Sequence, residues 1–394
     1  PGPHPDRCGH REAGEVTVLL VLAAPVPVLV VVAGEGPTRD LDGADGAQLL
    51  GARLAPVSGL GPLGLLGEEQ LHVPLARSEL APVDTSGGRE DLFDLGLDLI
   101  DLCTPSGLHF SQATKAMQAG VDVVVEKPIA RSLAEVDSLI RTEAETGRRA
   151  CPVFQYRFGH GIQKLHHLIA KGIAGAPSVA TLETHWHRGH AYYDRASWRG
   201  TWDGETGGCL ATHAIHTHDM LCEVLGPLAS VHARTSNRIN GNETEDMAVL
   251  SLEFENGAFA TSSVTLGSRQ EMSRMRFCFD GLVAESGLAP YNPGHDPWTF
   301  PHDDPARARV IEEALADFAP LPERFPGQFL RLHRALTGDA PLPVTLADAR
   351  RSIELLTAAY WSARTGDTVA LPIGPDHPFY AGWRDTMKKE TAHG

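Results

Sequence analysis

Between residues 27 and 158, short apolar runs rich in β-branched residues alternate with single helical stretches. Strands separated by one helix each close as βαβ units, which builds a parallel sheet with right-handed crossovers. The runs are Val28–Ala33, Ala52–Ser58, Asp98–Cys103, Val121–Glu126 and Val153–Phe158. Helices are predicted from the first run to about Leu50, over Leu108–Ala119 and over Leu133–Thr146. The first run is the end of a longer apolar stretch, Val16–Ala33, which Pro25 and Pro27 interrupt. As a membrane span that stretch is barely long enough. Glu12 and Glu15 beside Arg11 deny it the basic flank of a signal peptide. It reads instead as a buried parallel strand from Pro27, preceded by an extra strand or a poorly ordered extension, with residues 1–15 as a disordered tail.

After residue 158 the pattern changes to longer strands of period two: Ser178–His187, Ser230–Ser236, Met247–Phe254, Phe259–Leu266 and Met275–Asp280. Asn256-Gly257 signals a tight hairpin. Helices are predicted over Leu210–Leu225 and Leu346–Thr365. The fold class is therefore α/β: a doubly wound parallel sheet, then a second α/β domain with a large, open, mainly antiparallel sheet. We divide the chain into an extension (1–26), a first domain (27–158) and a second (159–385). One face of the second sheet needs cover, which predicts a homodimer or homotetramer through it. A net charge of −16 over 394 residues argues against nucleic acid or an anionic membrane as partner. Six scattered cysteines suit reduced thiols and a cytoplasmic protein.

Gly34-Glu35-Gly36-Pro37-Thr38-Arg39 follows the first strand, giving GxGxxR where the dinucleotide fingerprint is GxGxxG. The first two glycines let the backbone approach a pyrophosphate at a helix N-terminus, whereas Arg39 stands where close packing favours glycine. Gly59-Leu60-Gly61-Pro62-Leu63-Gly64 fits the letters but lies outside the strand–helix context. Ser58 and Gly59 end the second strand, where NAD sites place a carboxylate, so NAD and NADP are both admissible cofactors.

Cys103-Thr104-Pro105-Ser106-Gly107-Leu108-His109, followed by Glu126-Lys127-Pro128, resembles the Gfo/Idh/MocA family, the glucose–fructose oxidoreductase and inositol dehydrogenase group. Trp198-Arg199-Gly200, Gly207-Gly208, His216, Asp219, Gly226 and Tyr380…Gly382-Trp383 follow in the family's order, so the resemblance covers about residues 28 to 384. It implies a Rossmann domain, hydride transfer between NAD(P) and a secondary hydroxyl of a sugar, inositol or related polyol, and a frequently cis Lys127–Pro128 bond. It also implies that Lys127 polarises the substrate oxygen and His216 acts as acid/base. Cofactor contacts are assigned to Gly34, Gly36, Arg39, Ser58, Thr104, Pro105, His109, Glu126, Lys127, Gln155, Trp198 and Arg199. Glu126 either orients Lys127 or starts a helix.

Alcohol oxidation needs a cation beside the developing alkoxide and a base for the proton, which a lysine and a histidine supply. The family's dehydrogenases carry Asp four residues before the histidine; here Thr212 stands there, beside His213. Either His216 works alone, His213 assists, or the chemistry differs. Arg157, His185, His187 and Thr212 complete the expected substrate contacts, Arg157 being equally readable as a buried ion-pair partner. A metal is not expected, because His213 and His218 cannot share a narrow helical face with His216 and no carboxylate or Cys has ligand spacing. Two other readings accompany the dehydrogenase: an NAD-dependent glycoside hydrolase, and a non-catalytic nucleotide-binding homologue.

Overall fold

The computed structural model describes residues 97–338 and 340–391, together with the backbone of 16–23 and 26–33. The chain divides into two compact units at Thr104/Pro105. In the first unit β1 (Val16–Ala23) pairs antiparallel with β2 (Val26–Ala33), Val16 opposite Ala33. β2 runs parallel to β3 (Leu99–Cys103), Val28 opposite Leu99. The apolar stretch is thus two strands, and its first half takes the extra-strand form. Gly34, Gly36, Arg39, Ser58 and the expected strand Ala52–Ser58 lie outside the described residues.

The second unit opens with α1 (His109–Gln118), β4 (Asp122–Val125), α2 (Leu133–Thr146) and β5 (Ala150–Pro152). β4 and β5 are parallel, Val123 opposite Ala150, as a βαβ crossover requires. Ser132 caps α2 by accepting the Glu135 N–H (3.2 Å), and Gly147 ends it in the left-handed region. The strand expected over Val153–Phe158 does not form. The chain leaves the sheet after Pro152, and Gln155–Phe158 winds into a 3₁₀ turn. The Gln328 side chain takes the place of a neighbouring strand: its Oε1 accepts the Phe154 N–H (3.2 Å) and its Nε2 donates to the Pro152 carbonyl (2.7 Å). Backbone groups satisfied by a buried amide have no need of a ladder.

α3 (His160–Ala170) leads into β6 (Pro177–His187), then α4 (Ile215–Leu225). β7 (Leu228–Ser236), β8 (Met247–Phe254), β9 (Phe259–Thr265), β10 (Gly267–Phe279), β11 (Val283–Ser286) and β12 (Trp298–Thr299) follow. Next come α5 (Pro305–Ala316), α6 (Arg324–Thr337), α7 (Leu346–Thr365), β13 (Val369–Ala370) and α8 (Arg384–Thr391). The eight strands β6–β13 make one sheet in the order β12-β11-β10-β6-β9-β8-β7-β13. All its adjacent pairs are antiparallel except β6 and β9, which run parallel. β6 therefore sits between two strands consecutive in sequence. β9 passes to β10 through Leu266 alone, whose carbonyl accepts the Arg188 N–H just beyond β6 (2.8 Å).

Ala180, Leu182, Thr184 and Trp186 of β6 are buried, and Thr184 bonds Thr217 of α4 (3.2 Å), so α4 lies on that face. α7 packs against β7 and α4. A reciprocal capping box starts α7: Thr345 accepts the Asp348 N–H (3.2 Å) and Asp348 accepts the Thr345 N–H (2.8 Å). The opposite face exposes Val179 (45%), Val249 (51%) and Phe259 (55%). Among the described residues no helix is long and apolar enough to cross a membrane.

Candidate active site

Lys127 follows β4, and its peptide bond to Pro128 is cis. The buried His109 on α1 donates from Nδ1 to the Pro128 carbonyl (2.8 Å), so His109 holds the loop that carries Lys127. Glu126 accepts the backbone N–H of Lys127 (3.4 Å). The Lys127 ammonium reaches across to the Thr212 carbonyl (2.7 Å). That contact uses one of its three N–H bonds and leaves two for an incoming oxygen.

Thr212 lies in a π-helical turn, Leu210–Ala214, that runs into α4. A π turn widens the helix by one residue and changes the direction of the carbonyls within it, as often happens at functional sites. The Thr212 hydroxyl donates to the Gly208 carbonyl (2.7 Å) and lies 2.6 Å from His213 Nδ1. Its only proton being spent on Gly208, the hydroxyl accepts from His213, which fixes that ring as the Nδ1–H tautomer. The side chain expected to touch substrate is therefore engaged within its own helix, and the Thr212 carbonyl does the work by holding Lys127.

His216 sits on α4 one turn later. Its ring stacks on Tyr156 (centroids 4.5 Å apart) and meets Phe154 edge-on (6.0 Å). Burial holds its pKa well below the usual histidine value, and the Lys127 charge adds to the effect. The imidazole is thus a neutral base at neutral pH. Its Nδ1 is buried with no hydrogen-bond partner among the described residues. His213 is likewise held neutral, by burial and then by Arg188, Lys127 and Arg199. Its ring touches Trp186 (5.5 Å) and Tyr192 (5.8 Å). The Arg199 guanidinium lies over Tyr192 (4.4 Å) and Trp198 (4.7 Å), which joins the Trp198-Arg199 pair to the same cluster.

Several residues that sequence reasoning passed over belong here. Tyr156 supplies the platform under His216. Arg188 lies over Trp186 (5.3 Å), Tyr192 (5.2 Å) and Tyr291 (5.1 Å). Glu205 accepts the Gly200 N–H (2.6 Å) and lies 3.8 Å from Arg199. Burial pushes its carboxyl up to about 6, with Arg199 and Lys127 pulling it back. Its position beside the Trp-Arg-Gly motif was the one available signal.

Other expected site residues are placed elsewhere. Arg157 donates to both oxygens of Asp219 (2.5 Å each) and lies 3.5 Å from Asp348, all three side chains being buried or nearly so. It is an internal ion-pair partner, because a buried guanidinium is stable only when its charge is met. His185 and His187 face away from Trp186, as strand alternation demands, and His185 bonds Ser263 on that far side (2.8 Å). Neither joins the His213–His216 cluster. Gln155 turns inward with a buried Oε1 that has no hydrogen-bond partner among the described residues. Thr104 and Pro105 flank the junction of the two units. Among the described residues no three His, Cys, Asp or Glu side chains converge as a metal site requires.

A family model described as an oxidoreductase family with an NAD-binding Rossmann fold matches residues 69–154. A second, the GFO/IDH/MocA C-terminal domain, matches residues 162–281. The WlbA dehydrogenase from Bordetella pertussis, solved with NADH and UDP-GlcNAcA, is 30% identical with a TM-score of 0.63, covering 72% of this chain and 83% of that one. The chain belongs to the Gfo/Idh/MocA family. Among its other relatives, D-glucoside 3-dehydrogenase of Escherichia coli is 25% identical over 299 residues, 70% of this chain and 79% of the relative. The oxidoreductase YdgJ of the same organism is 25% identical over 292 residues, 71% of this chain and 82% of the relative. Family membership makes the protein an NAD(P)-dependent oxidoreductase whose cofactor domain is a Rossmann fold.

Proposed function

We propose that this oxidoreductase acts on a secondary hydroxyl, or the matching carbonyl, of a sugar, inositol or related polyol, with Lys127 and His216 at the reacting oxygen. The observation that carries the reading is the meeting of an ammonium and a neutral imidazole at one helix start. Lys127 is fixed on the Thr212 carbonyl, and His216 follows four residues later with its basic form enforced by burial.

The division of labour follows from these charges. As the hydroxyl proton leaves, the Lys127 N–H bonds not used by Thr212 stabilise the developing alkoxide. The His216 imidazole takes the proton, and in the reverse direction returns it. Its stacking on Tyr156 keeps the ring plane fixed while the charge changes. Bound NAD(P) supplies the hydride acceptor or donor. Lys127 and the unpartnered Gln155 Oε1 fit a nicotinamide among the described residues. Trp198 and Tyr192, both part-exposed, offer the flat apolar surfaces a sugar ring packs against, with the buried Trp186 behind His213. D-glucoside 3-dehydrogenase and WlbA, which was solved with a sugar nucleotide, support that substrate class. We assign the apolar open face of the sheet to a homodimer or homotetramer. The five described cysteines are free thiols, which suits a cytoplasmic location.

The test is a panel of sugars, inositols and polyols with NAD and with NADP, followed by the absorbance of the reduced nicotinamide. Stoichiometric reduction with at least one panel member is expected. Cofactor binding without turnover across the panel would overturn the reading, and product without net cofactor reduction would replace it with cofactor-recycling hydrolysis.

A further inference from the structure

The helical segment that carries Thr212 and His216 begins on a single residue from a distant loop. Glu245 lies between β7 and β8, is buried, and meets three successive amides of the helix start. Its Oε2 accepts the Gly208 N–H (2.9 Å), its backbone carbonyl accepts the Cys209 N–H (2.9 Å), and its Oε1 accepts the Leu210 N–H (3.0 Å). Tyr360 of α7 donates its hydroxyl to the same Oε1 (2.9 Å). Helix starts leave amides unpaired, and here they are gathered on one acceptor set.

The Gly207-Gly208 pair is explained by the same contact. A Cβ on Gly208 would stand 1.9 Å from the Glu245 carbonyl oxygen, and one on Gly207 would stand 2.2 Å from the Tyr360 hydroxyl. Only two adjacent glycines let the acceptor come this close. Downstream, the Gly208 carbonyl accepts both the Thr212 N–H (2.9 Å) and the Thr212 hydroxyl (2.7 Å), and the Thr212 carbonyl accepts Lys127 (2.7 Å). Three hydrogen-bonded steps thus run from Glu245 to the Lys127 ammonium.

We propose that Glu245 is a positioning residue of the active site, its carboxylate setting the turn so that Thr212 holds Lys127 and His216 faces the same point. Burial pushes the Glu245 carboxyl up to about 7, against the pull of its amide and Tyr360 hydrogen bonds. A carboxyl in so apolar a place is costly to keep, and the three donors it meets, the Gly208 and Leu210 amides and the Tyr360 hydroxyl, define what it is kept for. A glutamine at this position has the same shape but turns an NH₂ toward one of the amides, so the cradle loses an acceptor and gains a clash of donors. The kinetic part of the test rests on the oxidoreductase reading; the labelling part does not.

The experiment compares full-length wild type with Glu245→Gln. Three quantities are read: kcat and KM, cofactor Kd, and the rate at which a lysine-selective acylating reagent modifies Lys127, followed by mass spectrometry against Lys164 in the same molecule. Lys164 is bonded to Asp296 (2.6 Å) on another part of the unit and serves as the internal reference. A fall in kcat of about tenfold or more is expected with cofactor Kd within about twofold, because the loss falls on the transition state. Lys127 modification is expected to speed up several-fold relative to Lys164. Should Glu245→Gln fail to fold, Tyr360→Phe removes one donor and keeps the amide bonds, and a smaller change in the same two directions is expected. Wild-type labelling of Lys127 in a folded variant overturns the proposal, even if wild type itself oxidises nothing. Unaltered kcat beside accelerated labelling overturns it too, by separating the turn from the chemistry.

Discussion

On β6 neighbouring residues are sent to opposite fates. Thr184 and Trp186 point to the helices, where Trp186 donates to Ser273 (3.0 Å) and touches His213. His185 and His187 point to the other side, among Val179, Ser263 and Phe259. Both faces carry polar and aromatic groups, so composition alone does not tell them apart. What differs is closure: on the helix side Thr184 and Ser262 are met by partners on the covering helix, as in Thr184–Thr217 and His218–Ser262 (2.9 Å). On the other side the apolar residues stay exposed. Chemistry needs the closed face, since charges act strongly only where water is excluded.

The largest effect is expected on the closed face. Lys127→Ala is predicted to lower kcat by about 10³-fold and His216→Gln by about 10²-fold, with cofactor affinity nearly unchanged. Steady-state kinetics beside a cofactor titration checks this, and a variant with wild-type kcat would remove that residue from the chemistry.

Acid stability separates the faces in another way. Burial holds His218 down at about 4, against about 6.5 in an unfolded chain. Below pH 6.5 the unfolded chain takes up a proton that the folded chain refuses. Stability attributable to this group is therefore intact above 6.5 and falls by about 3 kcal/mol as pH drops to 4. Urea midpoints across that window should fall more steeply for wild type than for His218→Gln; equal slopes would mean that the ring titrates normally.

On the open face Phe259→Glu is predicted to weaken self-association by about tenfold or more, because it places charge in an apolar contact. Sedimentation over a concentration series reads the result, and an unchanged assembly would mean that copies meet elsewhere. Least of all, His185→Ala is expected to change kcat by no more than about twofold, as for a surface change away from the site. A tenfold loss would move the substrate to the far face.

Legibility in the sequence followed the range of the interactions that decide each element. Met247–Phe254 and Leu346–Thr365 were readable to the residue, the first from strict alternation, the second from its apolar spacing, with Thr345 and Asp348 closing a local cap. Lys127 and His216 could be singled out as candidates because the motifs that carry them, Glu126-Lys127-Pro128 and Gly207-Gly208 with His216 and Asp219, are short in sequence. Val153–Phe158 was misread as a strand because Gln328, 174 residues beyond Phe154, supplies the partner that frees it from the sheet. The helices α5 and α6 and the roles of Glu205 and Tyr156 depend on similarly distant contacts, which no short window contains. His185 and His187 show the limit from the other side: alternation says that they share a face, and only the covering helix says which face it is.

The seating of β6 between β9 and β10 has a mechanical consequence. Neither rim of the sheet offers a way in to this strand, and the one-residue bridge at Leu266 closes its far end like a latch. Peeling from either side must consume every outer strand on that side before reaching it. Amide protons of Leu182 and Thr184 are accordingly expected among the last of the sheet to be traded with solvent, and the tryptophan that backs His213 rides on that central strand.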